Sequence, residues 1–345
     1  MLVIIIFLCV ILLLTIQIQF KGINKLYLSK ENTQVLKGIF IIIVFLSHIK
    51  GYAEFDSRGD LIVKIILTYL GQLMVAFFLF ASGYGILESV KLKGEKYIQN
   101  MPKNRIGKTF FDFSLAILLF LGLDIVIGQR YSGQTIVLAF TGWTSVGNSN
   151  WYMFAIFTLY LITFISFLVF SHSIELSIIS VSILSLLYIY IMSGVKDTWW
   201  SDTYLCYMAG MWYSYFKDKI DRWLRKAGTW GWGIAVVLIT AGYIYISFYR
   251  YTRLFVHNVV AILFCLVLVF LSMKISFKSR ILSWCGKNLF WLYILQRIPM
   301  ILFEHYGISD INSYLYLTIC LAGVIVLTII MDKLTIFLLK KTWWS

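Results

Sequence analysis

The chain has little of what a soluble catalytic domain is built from. Among 345 residues there are only 2 prolines, and charged residues make up 13% against 60% hydrophobic. No Gly/Ser-rich or acidic tract marks a linker, so one membrane domain is expected, with no soluble catalytic appendage. Acidic residues are also scarce, 16 against 30 Lys and Arg. The resulting net charge of +14 raises the question of nucleic acid. However, the cations fall in short clusters between apolar runs and form no continuous polar face, so no nucleic-acid partner is expected. The five cysteines, Cys9, Cys206, Cys265, Cys285 and Cys320, stand singly. Without a C-x-x-C pair or a Cys/His cluster, they predict buried apolar thiols and no metal site. A G-x-S-x-G elbow, a phosphate-cradling glycine loop and a Ser/His/Asp triad pattern are likewise missing.

What is abundant is long apolar sequence, with a mean hydropathy of +0.84. Windows of about 17 to 25 residues give roughly eleven spans, at 2–20, 36–52, 61–88, 109–128, 151–170, 174–193, 203–216, 231–249, 254–273, 281–303 and 314–337. The fold class expected is therefore an all-α, polytopic transmembrane helix bundle. Residues 1–35 are read as an N-terminal extra span and a basic loop, and residues 36–345 as the membrane domain. The first span lacks a basic leading region and a small-residue cleavage site, and is read as retained. When loops alternate between two sides, most of the basic residues collect on one of them. The positive-inside rule then puts the N-terminus outside and the C-terminus in the cytoplasm. The piece 134–143 is too short to cross and is read as external and re-entrant or interfacial. Trp199, Trp200, Trp343 and Trp344 are read as an interfacial aromatic belt.

One apolar run carries an imidazole. Between Lys37 and His48 an α-helix makes about three turns and rises roughly 16 Å, so both side chains lie on one stripe. With Lys37 snorkelling at one surface, His48 lies near the middle of a hydrocarbon core about 30 Å thick, where an ionisable group marks a functional site. A neutral imidazole, with an unperturbed pKa of about 6.5, suits a general base that takes a proton from an attacking hydroxyl. The other histidines are weaker candidates: His172 in a turn, His257 near a span end, and His305 in a loop. His305 and Asp310 match an H-x-x-x-x-D pattern resembling glycerolipid acyltransferases, but the companion glycine-arginine motif of that family is missing.

Several other stretches carry chemistry. The basic loop from Lys91 to Lys108 offers Lys103, Arg105 and Lys108 as phosphate ligands of a soluble donor. Phe77 to Gly85 contains small residues suited to close helix approach. Asn150, Trp151 and Tyr152 combine an amide with an aromatic pair, as sugar binding by hydrogen bonding and stacking requires. Gln296 and Arg297 lie well inside an apolar run, and a buried Arg needs a partner or a cavity. Asp124 is the expected counter-charge.

In this order the motifs resemble the acyltransferase-3 family, bacterial integral-membrane O-acyltransferases that modify surface glycans. The resemblance rests on Lys37 with ten residues before His48, Phe77-Phe78 with Ser82-Gly83-Tyr84, Asn150-Trp151-Tyr152-Met153, and Gly286-Lys287-Asn288-Leu289 with Leu292-Tyr293-Ile294-Leu295. It implies a ten-helix core, here preceded by one extra span, in a multi-pass protein of the bacterial plasma membrane. It further implies acyl-CoA, in particular acetyl-CoA, as cytoplasmic donor, His48 as the catalytic residue, and Lys37 with cations such as Arg105 assisting the donor. The acceptor implied is a cell-surface or lipid-linked glycan. Many members carry a histidine where this chain has Gln296, so no second catalytic histidine is carried over. The rival expectations are a transporter or flippase for a lipid-linked sugar, which internal repeats would favour, and a catalytically silent glycan sensor.

Overall fold

A computed structural model describes residues 1–341, with side chains through residue 339. Trp343 and Trp344 lie outside the described residues, as do the side chains of Lys340 and Lys341. Eight helices among the described residues are long and apolar enough to cross a membrane, so the chain is a multi-pass helical bundle.

The elements follow the apolar runs, with breaks where local chemistry demands them. Helix α1 (Leu2–Thr15) leads into a short strand β1 (Ile16–Ile18). Helix α2 (Lys30–Ile49) starts at Ser29, whose hydroxyl accepts from the Asn32 amide, a standard N-cap. The run expected as one span at 61–88 is two helices, α3 (Arg58–Leu70) and α4 (Leu73–Lys93). Gly71, with φ of +49°, takes a backbone conformation that ends α3. Helix α5 (Glu95–Gln99) and a π-helical turn at Pro102–Gly107 then feed α6 (Lys108–Ile127). The piece expected at 134–143 contains a short helix, α7 (Gly133–Ala139). Helices α8 (Trp151–Val169) and α9 (Ile174–Ser193) match their expected spans.

The expected spans 203–216 and 231–249 fall in two helices that meet at Gly228, whose φ of +67° and ψ of −162° are not helical; α10 (Leu205–Ser247) denotes the pair. The basic segment between them continues as helix and forms no loop. After α11 (Leu254–Ser272), strand β2 (Ile275–Phe277) pairs antiparallel with β1, Ile16 opposite Phe277. Among the described residues this two-stranded ribbon is the one departure from an all-α chain, and three residues are too few for alternation to show in sequence. The run 281–303 is broken into α12 (Arg280–Lys287), α13 (Leu289–Leu295) and α14 (Arg297–His305). Pro299 has no N–H to give the carbonyl of Leu295, which is where α13 stops. Helices α15 (Ile308–Ile311) and α16 (Ser313–Lys341) complete the chain.

Backbone contact at glycine holds the centre together. Helix α4 is buried along most of its length, and it meets α10 so closely that a Cβ on Gly83 would stand 2.0 Å from the Tyr207 carbonyl oxygen, and one on Gly210 2.0 Å from that of Phe80. Helix α12 lies on α2 in the same way, Gly38 against Leu282 and Gly286 against Gln34. Such contacts are the membrane substitute for hydrophobic collapse, which lipid tails do not drive. Trp200 departs from the expected belt. It is buried between Trp143 and Phe154, and the Lys196 ammonium sits 4.1 Å and 4.5 Å from the Trp143 and Trp200 ring centres. Trp199 is exposed.

At the start of the chain, Asp60 draws several partners together. Its carboxylate accepts from the Leu2 amide at 2.8 Å, the Ser57 hydroxyl at 2.8 Å and the Tyr314 hydroxyl at 2.6 Å, and it pairs with the terminal amine at 2.9 Å. Burial works to raise this carboxyl, but the hydrogen bonds outweigh it and hold Asp60 below the usual carboxylate range.

Three variants test this packing. Gly210→Val should cost more than about 3 kcal/mol or abolish folding, because the opposing atoms are backbone. Gly122→Ala, where a Cβ meets nothing within 4 Å, should leave the thermal midpoint in detergent unchanged or slightly raised. A depressed carboxyl stabilises above its unfolded pKa of about 3.9 and loses that contribution only as pH falls toward the lower folded value. Asp60→Asn should therefore melt earlier than wild type at pH 7, and the two midpoints should converge only well below pH 4.

Candidate active site

Lys30, Thr33 and Lys37 recur at i, i+3 and i+7, so one face of α2 presents them together. That face lines a cavity of about 660 Å³. Arg105 enters it from the π-helical turn, Ser82 from α4, Tyr152 and Tyr160 from α8, and Lys217 from α10. The lining carries five cations, with Lys25 among them, against the single carboxylate of Glu88. Glu88 is already engaged, by Lys91 at 3.0 Å and the Ser214 hydroxyl at 2.6 Å. Lys217 is paired with Asp221. Among the described residues no hydrogen bond or ion pair engages Lys37, and Arg105 donates from Nε to the neutral Tyr97 hydroxyl at 3.0 Å. The cavity thus holds uncompensated positive charge, which is what polyanionic phosphates require.

The expected site residues divide. Lys37, Arg105 and Tyr152 share this cavity. Lys103 and Lys108 are absent from its lining, and Lys108 is held by Asp112 at 3.2 Å. Asn150 donates from Nδ2 to the Gly142 carbonyl at 3.0 Å, which ties the loop to the start of α8. Trp151 is half-buried and packs edge-on against Tyr152.

A short aromatic bridge leads from the cavity to His48. Tyr152, which lines the cavity, packs at 5.2 Å on Tyr293 of α13, and Tyr293 packs at 6.4 Å on the His48 imidazole. The Nδ1 atom of His48 is buried without a hydrogen-bond partner. No carboxylate forms an ion pair with it among the described residues, and the nearby formal charge is that of Arg297. Arg297 has a different partner from the one expected. Its Nε donates to the Tyr52 hydroxyl at 2.8 Å, and it forms no ion pair with Asp124. Asp124 is buried with Oδ2 unpartnered. Gln296 is fully buried, its Nε2 donating to the Tyr293 carbonyl at 2.8 Å and its Oε1 unpartnered.

Tyr293, Tyr160 and Lys30 were not among the expected site residues. The periodicity that joins Lys30 to Lys37 is a usable signal, but Tyr160 and Tyr293 are apolar-run residues until α8 and α13 fold around the cavity and α2. His305 and Asp310 are both exposed and form no ion pair among the described residues, and Asp310 accepts from Ser309. At the far end of the bundle His257 lies 3.6 Å from Asp202.

Residues 31–333 match the model of the acyltransferase-3 family, described as an acyltransferase domain. The chain belongs to that family. No curated protein and no solved structure gives a match. The acyltransferase thus has its family core in α2 to α16, with α1 and the ribbon strand β1 lying before the matched residues.

Because the Asn150 amide is committed to Gly142, Asn150→Ala should cost about 1 to 3 kcal/mol of stability. Thermal unfolding in detergent checks this, with Trp151→Phe as a control expected to melt near wild type.

Proposed function

We propose that the protein moves an acyl group, acetyl in the simplest case, from cytoplasmic acyl-CoA to a hydroxyl of a cell-surface or lipid-linked glycan. Family membership supports the acyl transfer. The observation that carries the finer reading is the continuity from the cationic cavity through Tyr152 and Tyr293 to His48. The donor's phosphates bind at Lys37 and Arg105, with Lys103 adding charge at the approach, and its thioester arm runs along the stripe of α2 toward His48. Basic loops on the cytoplasmic side are consistent with that entry. Gln296, Arg297, Asn150 and Trp151 belong to the acceptor side, Arg297 held by Tyr52 on the far side of His48 from the cavity.

In this reaction the acceptor oxygen attacks the thioester carbonyl carbon while His48 takes the hydroxyl proton. The tetrahedral centre collapses with cleavage of the carbon–sulfur bond. The thiolate leaves and recovers the proton, so ester and free CoA are the products and His48 returns to neutral. Nothing in this scheme calls for a metal.

The test uses purified protein in liposomes, labelled acetyl-CoA and an envelope glycan acceptor. His48→Ala should lose at least a hundredfold in transfer, whereas Lys37→Met should mainly raise the KM for the donor. Full transfer by a folded His48→Ala variant would overturn the assignment, as would movement of a lipid-linked sugar without its modification.

A further inference from the structure

A second cavity, of about 520 Å³, opens on the outer face of the bundle and shares no lining residue with the cationic one. The close contact of α12 on α2 at Gly38 and Leu282 stands between them. Its walls are apolar: Phe7 of α1, Ile41 and Phe45 of α2, and Ile325 of α16. One charged group stands among them, Arg280, which is exposed and has no ion pair among the described residues. Helix α12, which begins with Arg280, is amphipathic: it turns Leu282 and Gly286 onto α2 and leaves Arg280 and Lys287 exposed. Helix α12 thus runs antiparallel along the end of α2 that carries Lys30 and Lys37, with its polar face turned outward. Leu282 meets α2 at Gly38, and Phe45 lies about 10 Å further along that helix. The groove therefore runs from a lone cation at the interface into the hydrocarbon. Its α1 wall lies outside the residues that match the family, so the groove is built by this chain's own first helix on the common core.

We propose that this groove holds one acyl chain of an anionic glycerophospholipid of the surrounding bilayer, its headgroup phosphate paired with Arg280. The apolar lining suits the chain, and a phosphate is the partner a guanidinium at the headgroup level takes. The donor's acyl arm is a poor occupant, because the α2–α12 contact separates the groove from the cationic cavity. Phe45 is about one turn before His48 on the same helix, so the bound lipid touches the stretch of α2 that carries the imidazole.

Native mass spectrometry of the delipidated full chain, titrated with phosphatidylglycerol or with phosphatidylcholine of the same acyl chains, tests this. Wild type should retain one phosphatidylglycerol about tenfold more tightly than phosphatidylcholine. Arg280→Gln, a surface change that leaves packing intact, should erase that preference. Ile325→Trp, which fills the groove, should remove the tight site for both lipids, with the melting midpoint reporting that the variant folds. Unchanged phosphatidylglycerol binding in both variants would overturn the proposal, and so would a dimer that Ile325→Trp dissociates, since a second copy would then be the occupant.

Discussion

The backbone contact between α2 and α12 is the constraint on which the site depends. Because neither Gly38 nor Gly286 has a side chain, α12 lies against α2 at the distance of a carbonyl oxygen. The chain then turns at Asn288 and sends α13 back along α2. This return brings Leu289 to the cationic cavity and Tyr293 to His48. A side chain at either glycine would push α12 outward and take Tyr293 with it. The bridge between the cationic cavity and the imidazole thus rests on two residues that have no side chain of their own.

The α4–α10 contact does the same for the opposite wall. Gly83 and Gly210 lock the two helices, fixing Ser82 and Lys217 on the cavity side. Ser82 then meets the Tyr160 hydroxyl at 3.3 Å, which joins this wall to α8. In a bilayer, where water cannot satisfy a stray hydroxyl, such pairings carry positional information as well as energy.

Legibility in the sequence followed the cost of each feature. A histidine and a lysine in a long apolar run are expensive, so α2 and its stripe stood out from composition alone. Gly83 was readable as a close-approach residue for the same reason, since small residues in membrane helices have few other uses. Where the outcome depended on a partner, sequence was silent. Arg297 demanded a partner, and the cheapest guess was the charge on Asp124, yet the structure gives it the Tyr52 hydroxyl. Trp200 looked like a belt residue until Lys196 and Trp143 closed over it. The hydropathy window also ran through Gly71 and Asn288, because an average over about 20 residues does not register a single backbone turn. Lys108 looked equivalent to Arg105 in the basic loop, but Asp112 four residues on neutralises it, a pairing visible in the sequence once that stretch is known to be helical.

The absence of an ion-pairing carboxylate at His48 among the described residues fits a base working within a bilayer. A permanent carboxylate partner would have to be stripped of water together with the imidazole, and in a low-dielectric interior that cost exceeds much of what the pair returns. Under the proposed transfer His48 holds a proton only between attack and departure of the thiolate, which takes it back. The charge is transient and is created next to the charge that removes it, so no standing counter-ion is needed. What the base does need is a fixed ring, and packing supplies it, with Tyr293 on one side and the backbone of α2 beneath. In the proposed transfer, orientation by packing instead of by charge would make the α2–α12 contact, which sets the position of Tyr293, part of the catalytic apparatus at one remove.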